Sequence, residues 1–270
     1  ETALAPYKVA SITPVVVDTD TTSLILGITI MYDSSATTYT ADQIASLVST
    51  TVSNYSDTSL GTFNSPFRHS RLLGLIDNTD TSILNSIATV TLSKLFTPTL
   101  STATDYRINF NNKFYNPVSG YNSVDGGIIA STGFYLGSVT TTTYFFDDDG
   151  SGNLRIYSLV AGVRTYTDNT AGTIDYINGL ITINQITMTG VAEVDGTTST
   201  QIRITAIPNS YDITPVRNQI LEIDLVNTNV TASVDAISST GVGYSTTTTS
   251  AGTTTTTVSS VASNPSSSAY

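Results

Sequence analysis

Few side chains in this sequence have the types and spacing that chemistry needs. His69 is the only histidine, and it lies in SPFRHSRLLGLIDNTD (Ser65–Asp80) beside Ser70 and near Ser65. A serine–histidine–carboxylate mechanism needs a nucleophile activated on a sharp turn next to its base. These serines are neighbours on a helical pattern instead, so His69 reads as a partly exposed helix histidine. Arg68 and Arg71 are three apart, which points both guanidinium groups the same way on a helix. Guanidinium grips carboxylate or phosphate with two parallel hydrogen bonds. In a chain with 10 basic and 21 acidic residues, net charge −11, carboxylate is the better partner. It would come from Asp77, Asp80 or another subunit.

Asp147-x-Asp149-x-Ser151-Gly152 matches the first half of a calcium loop. The twelfth position is Ser158 rather than a bidentate Glu, and strand patterns flank it, so a polar hairpin loop is the reading. Gly126-Gly127 and Gly150-x-Gly152 lack the strand-to-helix context of a nucleotide loop. The absence of cysteine excludes disulfides, thiol catalysis and Cys-ligated zinc. The expectation is a protein that is not an enzyme and has no cofactor or metal.

The elements that position these residues are legible from periodicity. Ser65 can cap a helix with Pro66 at its first position, and Phe67, Leu72, Leu73, Leu75 and Ile76 supply its apolar face. An earlier helix runs from Thr40 as cap to about Tyr55, because Ile44, Leu47, Val48 and Val52 share one face. Val, Ile and Thr across Tyr7–Asp33 predict two strands around the polar turn Asp18–Thr21. From Gly120 onward strands are expected throughout. The strongest local signal is Ile174–Ile183, whose Asn178-Gly179 predicts a two-residue type I′ turn. Setting Ile177 opposite Leu180 places Ile174, Tyr176, Ile181 and Ile183 on one face. Strands follow at Ile202–Ile207 and Gln219–Leu225.

The predicted fold class is α+β: a strand–helix–helix–strand core over residues 1–117, a small all-β hairpin domain over 118–237, and a Ser/Thr-rich tail over 238–270. The tail has too few large apolar residues to order itself and is expected to dock on a partner. Charged residues make up only 11% of the chain, which suits surfaces covered in an assembly. The excess of acid disfavours nucleic acid and anionic membranes as partners. No apolar run reaches the roughly 20 residues that span a bilayer.

Three stretches carry a family resemblance. The first is FNSPFRHSRLLGLIDNTDTSIL with the following VTLSKLFTPTLSTATDYRINFNNKFYNP. The others are FDDDGSGNLRIY…AGTIDYINGLITI (Phe146–Ile183) and DITPVRNQILEIDL (Asp212–Leu225). In this order they resemble the baseplate wedge proteins of contractile-tailed phages, the family with a baseplate-J-like core, in which an F-R-x-S-R helix leads to I-D and then to strands. Members are typically longer, so the chain, which opens at Glu1, looks like a C-terminal portion. The resemblance implies a structural virion protein of the tail baseplate, assembled in the host cytoplasm. Such a subunit self-associates in a ring around the hub and meets other wedge subunits and the sheath-initiator protein. Arg68, Arg71, Arg217 and Tyr270 are then the candidate subunit-interface residues. A secreted or surface carbohydrate-binding β-module is the alternative, suggested by the aromatics and Thr-rich strands and weakened by the lack of Trp.

Overall fold

The structure is a computed structural model that describes residues 20–121, 127–137, 141–194, 197–216, 218–235, 244–250 and 253–259. In chain order the elements are β1 (Asp20–Tyr32), α1 (Ala41–Ser59), α2 (His69–Asp77), β2 (Ile83–Phe96), β3 (Ala103–Asn109), β4 (Ile129–Ser131), β5 (Phe134–Leu136) and β6 (Tyr144–Asp148). There follow β7 (Asn153–Val160), β8 (Val163–Asp175), β9 (Leu180–Val191), β10 (Ile202–Ala206), β11 (Gln219–Ile223), β12 (Asn229–Val234), β13 (Tyr244–Ser250) and β14 (Thr253–Ser259).

The expected α+β class is overturned. The protein is mostly β, with 49% strand against 14% helix, and it contains a closed five-stranded barrel. The barrel closes because β5 pairs with β6 and β9, β6 with β7, β7 with β8, and β8 with β9. Local periodicity identified β1, α1, α2 and β2 in their order. It carried no information on the pairing of β2 with β10, which continues through β4 into the barrel.

The chain divides into two compact units, and β1, α1, α2 and β2 each contribute residues to both. Unit 1 holds the barrel and the strands that lead into it. The first residues of β1 lie parallel to β11, from Asp20↔Gln219 to Leu24↔Ile223. β10 is antiparallel to β2 (Ile202↔Phe96) and to β4 (Ile204↔Ser131). Phe134 and Phe146 stack at 4.5 Å between ring centres inside the barrel, where Leu154, Ile181, Ile183 and Met188 are also fully buried. Unit 2 has its own core, from Ile28, Ile30 and Tyr32 of β1, Ile44, Val48 and Val52 of α1, Leu72 and Ile76 of α2, and Ile83 and Ala88 of β2.

Helix α1 starts as its sequence predicts. The Gln43 amide donates to Thr40 Oγ1 at 3.3 Å while the Thr40 amide donates to Gln43 Oε1 at 2.9 Å, a reciprocal capping box. It continues past Tyr55 to Ser59. Asp20 and Thr21, expected in a turn, are already strand; the earlier expected strand lies outside the described residues.

The hairpin at 174–183 departs from its expected turn. The register is Ile174↔Ile181 and Asp175↔Leu180, so residues 176–179 form a four-residue loop rather than Asn178-Gly179 a two-residue one. Asp175 organises it: its carboxylate accepts the amides of Ile177 and Asn178 and the Asn178 side chain, at 3.0, 3.0 and 2.6 Å. Only Gly179 needs a positive φ (67°), and a Cβ there would come within 2.0 Å of the Asn112 carbonyl oxygen. Ile174, Ile181 and Ile183 do share a buried face, while Ile177 is largely exposed.

This geometry separates two variants that a type I′ turn would make similar. Gly179→Ala should lower stability by at least about 1–2 kcal/mol, because a left-handed backbone and a backbone clash coincide. Asn178→Ala should cost under about 1 kcal/mol, the net worth of one exposed hydrogen bond. Thermal melts of both check this, and equal losses would restore the two-residue turn.

Candidate subunit interface

Pro66 has no amide hydrogen to give, and the chain is still extended when it reaches Phe67. Phe67 forms an antiparallel bridge with Ile213: each amide donates to the other's carbonyl, at 2.9 and 3.0 Å. Both side chains are buried, and Phe67 meets the Tyr55 ring edge-on at 6.0 Å. The helix therefore begins at His69 rather than Ser65, and Ser65 bonds Thr62 through their hydroxyls at 2.6 Å instead of capping.

The cap comes from far along the chain. Asp212 Oδ1 accepts the His69 amide at 2.9 Å, and Oδ2 accepts Arg68 Nη1 at 3.3 Å. A carboxylate at a helix N-terminus satisfies an orphan amide and complements the helix dipole. The Arg68 amide donates to Tyr55 Oη at 3.2 Å, and the His69 ring lies 5.1 Å from the Tyr211 ring. Two of the quoted stretches, FRHSR and DITPVRN, thus meet at one point.

This arrangement revises the arginine geometry. Arg68 precedes α2, so the two guanidinium groups are not a helical i, i+3 pair. Arg68 is half-exposed in its pair with Asp212, and Arg71 is exposed on α2. Arg217 and Tyr270 lie outside the described residues. Asp77 accepts the Ser86 hydroxyl at 2.5 Å, and Asp80 accepts the Ser82 amide and hydroxyl. The Ser82 bonds hold the Asp80 carboxyl below its ordinary value.

The acidic triplet is also spoken for. Asp147 of β6 sits directly across from Arg155 of β7 and accepts its Nε and Nη2, at 2.9 and 3.3 Å. It further accepts Arg164 Nη1 and Tyr166 Oη, each at 2.8 Å. Burial pushes the Asp147 carboxyl up, while the Tyr166 hydrogen bond and the two arginines pull it back. Asp148, fully buried, accepts the amides of Ile128 and Ile129 and the Tyr176 hydroxyl. Burial, followed by the Asp148 charge, drives the Tyr176 hydroxyl strongly upward. Asp149 closes the turn by accepting the Ser151 and Asn153 amides at 2.7 and 2.9 Å. Among the described residues no group of three or more His, Cys, Asp or Glu is placed to hold a metal ion.

The Asp147 network was missed in the sequence, although Asp147 and Arg155 are equidistant from the Gly-containing turn, which places opposite charges face to face across a hairpin. Also unread was a cleft of about 340 Å³ lined by Tyr115, Tyr121, Ile128, Ile207, Pro208, Asn209 and Tyr211. Its tyrosines are not neighbours in sequence.

Together these features define a β-rich module in which Asp147 and Arg155 pair in the interior and Asp212 caps α2. Residues 23–95 match the family model of baseplate structural protein gp6, C-terminal domain III. The match covers most of β1, both helices and nearly all of β2. It supports a phage baseplate protein family and a structural role in the virion, in association with other baseplate components. No curated protein matches the chain.

The two networks should respond differently to truncation. Asp212→Ala removes a cap and an exposed ion pair and should cost about 1–2 kcal/mol. Arg155→Ala leaves Asp147 short of its buried partner and should cost about 3–5 kcal/mol. Urea denaturation of the two variants measures the difference, and a larger loss for Asp212→Ala would reverse this ranking.

Proposed function

We propose that the chain is a subunit of the baseplate wedge of a contractile-tailed phage. It self-associates in a ring around the tail hub, meets other wedge subunits and the sheath-initiator protein, and rearranges when the tail contracts. Assembly takes place in the host cytoplasm. The observation that carries this reading is the match over residues 23–95 to a domain described as a baseplate structural protein. That segment includes the FRHSR stretch and the helix α2.

The work of such a subunit is mechanical, and its interfaces carry it. Arg68 and Arg71 are exposed cations in a chain of net charge −11, and a guanidinium has five donors to share among carboxylates. In this reading they clasp a carboxylate of the next subunit, Arg217 and Tyr270 belong to the same class of contact, and the tail 238–270 docks on a partner. A desolvated clasp costs several kcal/mol when broken, whereas an exposed pair costs under about 1 kcal/mol. The double variant Arg68→Gln/Arg71→Gln should therefore fold as a monomer with near-normal melting and fail to form rings by native mass spectrometry. Wild-type assembly by the variant, or its failure to fold, would sink the clasp.

The tyrosine-lined cleft favours a second reading, a carbohydrate-binding β-module. Tyr115 and Tyr121 meet edge to face at 5.6 Å, and tyrosine offers an apolar ring with a polar tip to a sugar. Saturable binding on a glycan array that is lost in Tyr211→Ala, with no self-association of the chain, would decide for this reading over the first.

A further inference from the structure

Asn178-Gly179 is the only Asn-Gly pair in the chain. Asparagine is chemically labile, and most of all before glycine, which has no Cβ to hinder attack by its own nitrogen. In that reaction the Gly179 nitrogen gives its proton to hydroxide and bonds to Asn178 Cγ. The Cγ–Nδ2 bond breaks, and Nδ2 takes a proton from water and leaves as ammonia. Water then opens the five-membered imide at either carbonyl, which leaves aspartate or isoaspartate at 178.

The loop between β8 and β9 restrains both reacting groups. Asn178 is exposed to water, but Gly179 is buried. The Gly179 amide donates to the Asp175 carbonyl at 2.8 Å, so the attacking nitrogen is engaged. Asp175 Oδ2 accepts Asn178 Nδ2 at 2.6 Å, so the leaving nitrogen is engaged as well. That bond is the largest of the causes that hold the Asp175 carboxyl below its ordinary value. The backbone is pinned on either side: the Gly179 carbonyl accepts the Phe110 amide and the Tyr176 carbonyl the Phe114 amide, each at 2.8 Å. Gly179 also packs so closely on Asn112 that a Cβ would come within 2.0 Å of its carbonyl oxygen. Bringing the Gly179 nitrogen onto Asn178 Cγ therefore requires the loop to lift.

We infer that Asn178 is a deamidation site that the folded loop keeps latched, with Asp175 as the positioning residue that holds the latch. One hydrogen bond controls two events. The Gly179 N–H must leave the Asp175 carbonyl before it exchanges with solvent, and also before its nitrogen attacks Cγ. Local opening of the loop thus sets both rates. The reaction runs one way. Aspartate at 178 puts a second carboxylate where an amide donated to Asp175, and like charges disfavour reclosure. Isoaspartate adds a backbone atom to a loop pinned at Phe110 and Phe114.

The full chain is incubated at mildly alkaline pH, folded and unfolded in guanidinium, and aspartate and isoaspartate at 178 are followed by peptide mass spectrometry. Deamidation should be at least about tenfold slower in the folded chain, and hydrogen exchange of the Gly179 amide should be slowed by a matching factor. Asp175→Asn turns one of the two accepting oxygens into a donor while keeping the side-chain shape. Folded by circular dichroism, this variant should deamidate at 178 several-fold faster than wild type. Equal rates in folded and unfolded wild type overturn the inference, as does a folded Asp175→Asn that deamidates no faster than wild type. If the variant does not fold, the wild-type chain decides: matching factors for deamidation and Gly179 exchange uphold the latch, and slow deamidation with unprotected exchange overturns it.

Discussion

The fold depends on β10 having a partner on both sides. Ile202, Ile204 and Ala206 of this five-residue strand are fully buried, and its backbone pairs with β2 on one edge and β4 on the other. Remove it and two strands are left with unpaired edges in a buried setting, where each orphaned backbone group costs free energy comparable to a lost hydrogen bond. About a hundred residues separate β10 from β2, so the loop must close before the contact contributes. The same return of the chain brings β11 parallel to β1 and Asp212 to the start of α2. Capping, sheet pairing and the burial of Phe67 are one event.

Barrel closure has an electrostatic consequence. With only 11% charged residues, the protein still buries Asp147, Asp148 and Arg155 together. Desolvating a charge is expensive unless every lone pair finds a donor, and here Asp147 accepts from two guanidinium groups and a tyrosine hydroxyl. The Arg155 guanidinium also lies 4.1 Å from the centre of the Tyr166 ring and donates to the Asp148 carbonyl. An ion pair of this kind adds little net stability over apolar packing. It penalises any other register of β6, β7 and β8, because a slip strands a buried charge.

The junction at α2 connects this architecture to its proposed role. A helix capped by its own first residues can form before the fold is complete. One capped by Asp212 is fixed only when the β10–β11 return is in place. The exposed Arg68, which pairs with the same Asp212, is held in place by that return as well.

The sequence by itself determined the local elements. The shared face of Ile44, Leu47, Val48 and Val52, with Thr40 as cap, specifies α1. The β-branched runs specify β1, β2, β7, β10 and β11, because these signals live within one or two turns of chain. It also determined composition-level facts: the absence of thiol chemistry, an acidic surface, and a tail of threonines. Tertiary structure decided everything that depends on which strands meet. The barrel, the sheet order through β10, the four-residue loop ordered by Asp175, and the start of α2 at His69 all arise from partners distant in the chain or from a register that hydrophobic alternation leaves open. Ser65-Pro66 carries the local signature of a helix start, yet the Phe67–Ile213 bridge and the Asp212 cap override it. A short helix gains less from its own first turn than from burying an aromatic ring and satisfying its amide with a carboxylate held in place by the rest of the fold.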